Sequence, residues 1–177
     1  MKKIVFLFVS LALAVSSAAC TSSSTTTYET IYTSSAPEAD TVSEDDYEDS
    51  LDGLVEYLMA LGYIPESSEA TEMLSSVIGA EVGVRYVYYV NSSSVVLELY
   101  EYDTDNLNEE AVRILNEVKA DGEFALFETS DSDEDQIFEA VLSNSEKYLM
   151  IYTDSSTNED NVTRVEDIQN ALKTFKD

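Results

Sequence analysis

Asp131-Ser132-Asp133-Glu134-Asp135 places carboxylates at the first, third and fifth positions of an acidic stretch, the opening of the pattern by which an EF-hand loop holds calcium. Gln136 stands at the sixth position, where the sharp turn requires glycine. Leu142 stands at the twelfth, where a bidentate glutamate completes the cage. Asp131, Asp133 and Asp135 are therefore candidate ligands of an irregular calcium site, with a solvated acidic loop as the plain alternative. Asp154, Asn158 and Asp160 lack the pattern altogether.

Other chemistries are excluded more firmly. The chain has no histidine, which removes Ser-His-Asp and Cys-His activation of a nucleophile and the commonest transition-metal ligand. One cysteine cannot build a zinc or iron–sulfur site. The five glycines stand apart, so no phosphate-cradling loop forms. A carboxylate-based hydrolase needs a selected acid pair, and no spacing among the 36 acidic residues selects one. Binding without catalysis is the expectation, with no cofactor unless it is calcium.

Tyrosine is the second unusual resource. Five of the twelve fall in one pair of apolar runs, Tyr86, Tyr88, Tyr89, Tyr100 and Tyr102. Rings at alternate positions on neighbouring strands could line up as a recognition platform, since tyrosine supplies contact area at low entropic cost. Tyr86, Tyr88, Tyr100 and Tyr102 are the candidate binding face, for a protein, a peptide or a cell-wall ligand. Cross-strand pairing in a half-buried core is the competing reading.

The lone thiol has its own context. Lys2 and Lys3 precede an apolar run from Ile4 to Val15, and the run closes on Ser17-Ala18-Ala19-Cys20. About a dozen apolar residues suit an export signal and fall short of the roughly 20 that span a bilayer. Ala18, Ala19 and Cys20 resemble the lipobox of bacterial lipoproteins, in which small residues precede a cysteine that is diacylated. Ser17 departs from that motif, which places a branched aliphatic there, and Ser17-Ala18-Ala19 also satisfies the small-x-small rule of ordinary export. The resemblance implies a signal over residues 1–19, lipidation at Cys20 and a palmitate-type anchor on the extracytoplasmic face of the cell membrane. Thr21 to Thr27 are all Ser or Thr, and residues 20–42 read as a stem.

Without residues 1–19 the chain keeps seven basic against 36 acidic residues, a net charge of −29. Such a surface repels nucleic-acid phosphates and anionic lipid heads, so no nucleic acid is expected as a partner. Cationic peptides, cationic protein faces and divalent metals remain. No internal disulfide can form, and a hydrophobic core must hold the single domain expected over 43–177.

The elements that would position these groups follow from periodicity. Ser43 and Asp46 resemble a capping box, and Tyr47, Leu51, Leu54, Val55 and Leu58 form a helical stripe stopped near Gly62 and Pro65. Ala70, Met73, Leu74, Val77 and Ile78 predict a second helix from Ser68, ending at Gly79. The period then becomes two, and Val84–Val90 and Val95–Tyr102 read as a hairpin around Asn91-Ser92-Ser93-Ser94. Asn106 caps a third helix carrying Leu107, Ala111, Ile114, Leu115 and Val118, stopped by Gly122. Strands are predicted over 123–129 and 147–153. Over 136–143, Ile137, Ala140 and Val141 suit a short helix, while the alternation of Ile137, Glu139 and Val141 with Phe138, Ala140 and Leu142 suits a strand. The polar tetrad Ser143–Glu146 favours a hairpin. A last helix over 161–175 turns Val162, Val165, Ile168, Leu172 and Phe175 inward.

The order ααββαβββα predicts an α+β fold, a mainly antiparallel sheet of four to five strands with helices packed on one face. Stem, helical start and tyrosine-rich strands such as Leu97-Glu98-Leu99-Tyr100-Glu101-Tyr102-Asp103 are together similar to small lipoproteins of Gram-positive bacteria. That resemblance implies no activity.

Overall fold

The computed structural model describes residues 42–126 and 136–177; the expected signal, Cys20, nearly all of the stem, and Asp131, Asp133 and Asp135 lie outside the described residues. Ser43 caps only a 3-10 turn, Glu44–Asp46, with its hydroxyl accepting from the Asp45 amide. Helix α1, Leu51–Ala60, starts later than expected because Ser50 is the effective cap, accepting from the Gly53 amide at 3.1 Å. Tyr47 consequently lies outside the helix and reaches the core by packing a tilted ring against Tyr57, with ring centroids 5.5 Å apart.

The predicted second helix is not formed. Strand β1, Thr71–Glu72, pairs antiparallel with Arg85 and Val84, and a 3-10 turn, Ser75–Ile78, follows it. The apolar residues that suggested a stripe do not share a buried side: Ile78 is buried, whereas Leu74 is 76% and Val77 49% exposed. A short helix without a core under its apolar stripe is marginal. Pairing along the neighbouring strand satisfies the backbone instead, and the Met73 amide donates to the Gly83 carbonyl at 2.9 Å.

Strands β2, Val82–Val90, and β3, Ser93–Glu101, form the predicted hairpin. Its turn is two residues, not four. Asn91 and Ser92 take φ of +48° and +68°, the primed turn that matches the twist of paired strands. Helix α2, Glu109–Asp121, is capped by Asn108, not Asn106, through a 2.9 Å bond from the Ala111 amide, and it stops at Gly122 as expected.

Strands form over 123–126 and within 136–142, but they divide; residues 127–129 of the expected strand lie outside the described residues. Strand β4, Glu123–Leu126, pairs with β5, Gln136–Glu139, as a separate two-stranded ribbon. After Ala140, β6, Val141–Leu142, joins β7, Tyr148–Asp154, in the main sheet. Helix α3, Glu159–Thr174, closes the chain with Asn158 as its cap. Val162, expected inward, is 47% exposed, and the neighbouring Asn161 is buried instead.

The main sheet is antiparallel in the order β1-β2-β3-β7-β6, giving the expected α+β class with a sheet of five strands. The expectation of helices on one face is corrected. Tyr86, Tyr88, Val95, Leu97, Leu99 and Met150 share a core with α1 and α3. Tyr100, Tyr102, Leu149 and Ile151 point the other way, against Ala111, Ile114, Leu115 and Val118 of α2 and Phe124 of β4. Large apolar side chains alternate with one another along β7, so both faces need cover. Each fully buried aliphatic side chain there contributes roughly 1.5–3 kcal/mol.

Candidate functional site

The four tyrosines proposed as a platform do not form one. Successive strand residues face opposite sides, so Tyr86 and Tyr88 lie beneath α1 and α3 while Tyr100 and Tyr102 lie beneath α2. All four rings are buried. The Tyr100 hydroxyl donates to Glu98 at 2.9 Å, and that of Tyr102 to the Ile78 carbonyl at 3.3 Å. Burial is the main cause that pushes both phenols far above the ordinary tyrosine range, with Glu98 adding to it for Tyr100 and Glu110 for Tyr102. They are core residues. Among the described residues, the large apolar side chains that the main sheet does expose are Val82, at 45%, Val87, at 57%, and Tyr89, at 55%.

Two polar clusters serve the fold. Lys147 lies between Asp49 and Glu101, at 3.1 and 3.2 Å, while the Tyr148 hydroxyl donates to Asp49 at 2.7 Å. Glu101 also accepts from the Leu51 amide at 2.7 Å, so a carboxylate meets the positive end of α1. Burial works to raise the Asp49 carboxyl, and the bonds from Tyr148 and Lys147 overcome it and hold the group below the usual range. At the other end of the sheet, Arg164 donates to the Gly62 carbonyl at 3.1 Å and fastens the end of α1 to α3.

One cleft of about 320 Å³ opens where the strand after Gln136 changes partners. Residues up to Glu139 belong to the ribbon, and residues from Val141 belong to the main sheet. Between them the Ala140 amide donates to the Gly122 carbonyl at 2.9 Å, pinning the parting point to the end of α2. Because β6 pairs with only Leu149 and Met150, the rest of that edge of β7 faces the gap, and α3 closes it from the far side.

Val141, Met150 and Val165 give the cleft an apolar wall, Tyr152 and Gln169 add polar groups, and Asp121, Glu123 and Glu139 line it with carboxylates. Glu123 and Glu139 are directly opposite each other in the β4–β5 register. Among the described residues, the ion pairs of Arg85, Arg113, Lys119 and Lys147 go to Asp49, Glu98, Glu101, Glu110, Glu117 and Glu146, and none goes to these three acids. Nor, among the described residues, do three acidic side chains converge closely enough to hold a metal ion. The arrangement can receive an elongated cation with an aliphatic stem. All three carboxylates are exposed to solvent.

Sequence reading did not single out Asp121, Glu123 or Glu139. Only the register, set by a strand that serves two sheets, brings the two glutamates face to face. Gln169 arrives from 30 residues further on, and no local signal marks it. Among the described residues, no helix is long and apolar enough to cross a membrane. No protein-family model, no curated protein and no solved structure matches the chain.

Proposed function

We propose that the chain is a lipid-anchored extracytoplasmic protein whose acidic domain acts as a binding module and performs no catalysis of its own. The observation that carries the reading is Cys20: the one thiol of 177 residues directly follows Ala18-Ala19 at the end of an apolar run. Diacylation there would hold the protein firmly, because each buried methylene contributes about 0.8 kcal/mol and two chains suffice where one does not. The binding role is supported by the absence of histidine from the chain and by an acidic surface suited to cationic partners.

The test is metabolic labelling with an alkyne fatty acid, followed by fractionation of cells carrying the natural chain or Cys20→Ala. The natural chain takes up label and stays with the membrane; Cys20→Ala loses the label and is released to the medium. An unlabelled chain that remains on the membrane makes the apolar segment the anchor. An unlabelled natural chain found in the medium makes the protein an ordinary export product, and either result ends the lipoprotein reading.

A further inference from the structure

We infer that the cleft between the β4–β5 ribbon and α3 receives a lysine or arginine side chain from a basic polypeptide partner. The inference rests on the reading of the domain as a binding module and supplies the chemistry of its partner; it does not depend on the anchor.

Shape sets the first limit. A volume of about 320 Å³ lies at the lower end of ligand pockets and accommodates one long side chain. Chemistry sets the second. Long cationic side chains lay their methylenes on apolar surface and keep the charged head at its edge. Val141, Met150 and Val165 offer that surface, and Asp121, Glu123 and Glu139 meet the head.

The register points the same way. Like charges directly opposite on paired strands oppose each other, and Glu123 faces Glu139 with no cation between them among the described residues. A guanidinium or ammonium seated there removes the repulsion that the fold leaves in place. Acids that do not converge at metal-binding distance suit a spread organic cation better than a bare ion. The chain's net charge of −27 steers a basic polypeptide inward and repels a second copy of itself.

The probe is a blocked tetralysine peptide, titrated into the full chain at physiological ionic strength by calorimetry, with amide shifts mapping the contact. Glu123→Gln with Glu139→Gln should weaken binding at least about fivefold, the loss of two exposed ion pairs. Asp52→Asn with Glu56→Gln on α1 removes the same charge from two exposed positions and should change affinity less than about twofold. Equal losses in the two double variants would mean diffuse attraction and would overturn the proposal. Gln169→Lys places an ammonium across the cleft; it should raise the melting temperature and abolish peptide binding, and unchanged binding would count against the site.

A norleucine analogue of the peptide, which keeps the stem and lacks the amine, should not bind. Calcium chloride binding through Glu123 and Glu139, with the peptide indifferent to them, would assign the cleft to a divalent ion and end the inference. Peptide binding at another surface would remove the cleft and leave the binding module standing. Cys20→Ala should bind the peptide like the natural chain, so a failed fatty-acid labelling and a failed titration are separable results.

Discussion

Asn161, buried in the first turn of α3, donates a 2.6 Å hydrogen bond to the carboxylate of Asp154 at the end of β7. Its amide oxygen accepts from Asn91 at 2.8 Å, in the turn between β2 and β3. Asp154 in turn accepts from the Ser93 hydroxyl and, at 2.9 Å, from the Ser156 amide. One side chain thus joins a hairpin turn, a strand end and a helix start. Asn161→Ala removes a buried amide together with its bonds to the half-buried Asp154 and the exposed Asn91, and should destabilise the domain by about 1–3 kcal/mol. Urea unfolding measures it, and a loss near zero would mean water replaces the amide.

Gly79 and Gly122 share a left-handed backbone, with φ of +72° and +76°, yet differ in surroundings. A Cβ on Gly79 would lie 2.5 Å from the Ala111 amide nitrogen, against backbone that cannot yield. A Cβ on Gly122 meets nothing within 4 Å. Gly122→Ala should therefore cost only the left-handed penalty of about 1–2 kcal/mol. Gly79→Ala should cost clearly more, and comparable denaturation midpoints for the two variants would contradict the packing described here.

The tyrosine pattern marked the strands correctly and misled about their surface. Tyr86→Ser removes a buried ring and should destabilise by about 3–5 kcal/mol, in the range of large core truncations. Tyr89→Ser, at a ring more than half exposed, should cost about 1 kcal/mol or less, the span of strand propensities. Thermal melts of the two variants decide the matter. A larger loss for Tyr89→Ser would place the buried side on the wrong alternate.

What was legible in the chain follows from the range of each interaction. Gly122 as a stop and the apolar set Ala111, Ile114, Leu115 and Val118 of α2 are local, and they stand where periodicity put them. The stretch around Leu74 was misread because its spacing fits a helix while its burial is decided by β2, residues away in sequence. Ser50 won over Ser43, and Asn108 over Asn106, because two competent caps lay close together and the first buried turn chose between them. The second face of the sheet was hidden for a related reason. The pattern of Tyr100 and Tyr102 allows a platform as well as the core reading, and the cover that α2 lays over them decides for the core. The cleft depends on a change of strand partner at Ala140, a property of the assembled sheet alone.

Stability should depend on pH at both ends, with opposite signs. Burial tends to raise the carboxyls of Asp49 and Asp154, but hydrogen bonds outweigh it and hold both below the ordinary range: Tyr148 and Lys147 for Asp49, Ser93, Ser156 and Asn161 for Asp154. A depressed folded-state value means the unfolded chain takes up protons first. The contribution is present above the unfolded value, about 3.9, and is lost as pH falls through the folded one. Tyr100, Tyr102 and Tyr148 are raised, chiefly by burial. Their contribution is complete below about pH 10, where free tyrosine ionises, and declines as pH rises beyond it. Urea midpoints followed from acid to alkali should therefore fall below about pH 4 and again above about pH 10. Asp154→Asn should flatten the acid limb, and Tyr148→Phe should flatten part of the alkaline one. If the alkaline limb is level in the natural chain, the buried phenols are not held neutral by the core, and the two-faced packing that buries them would have to be redrawn.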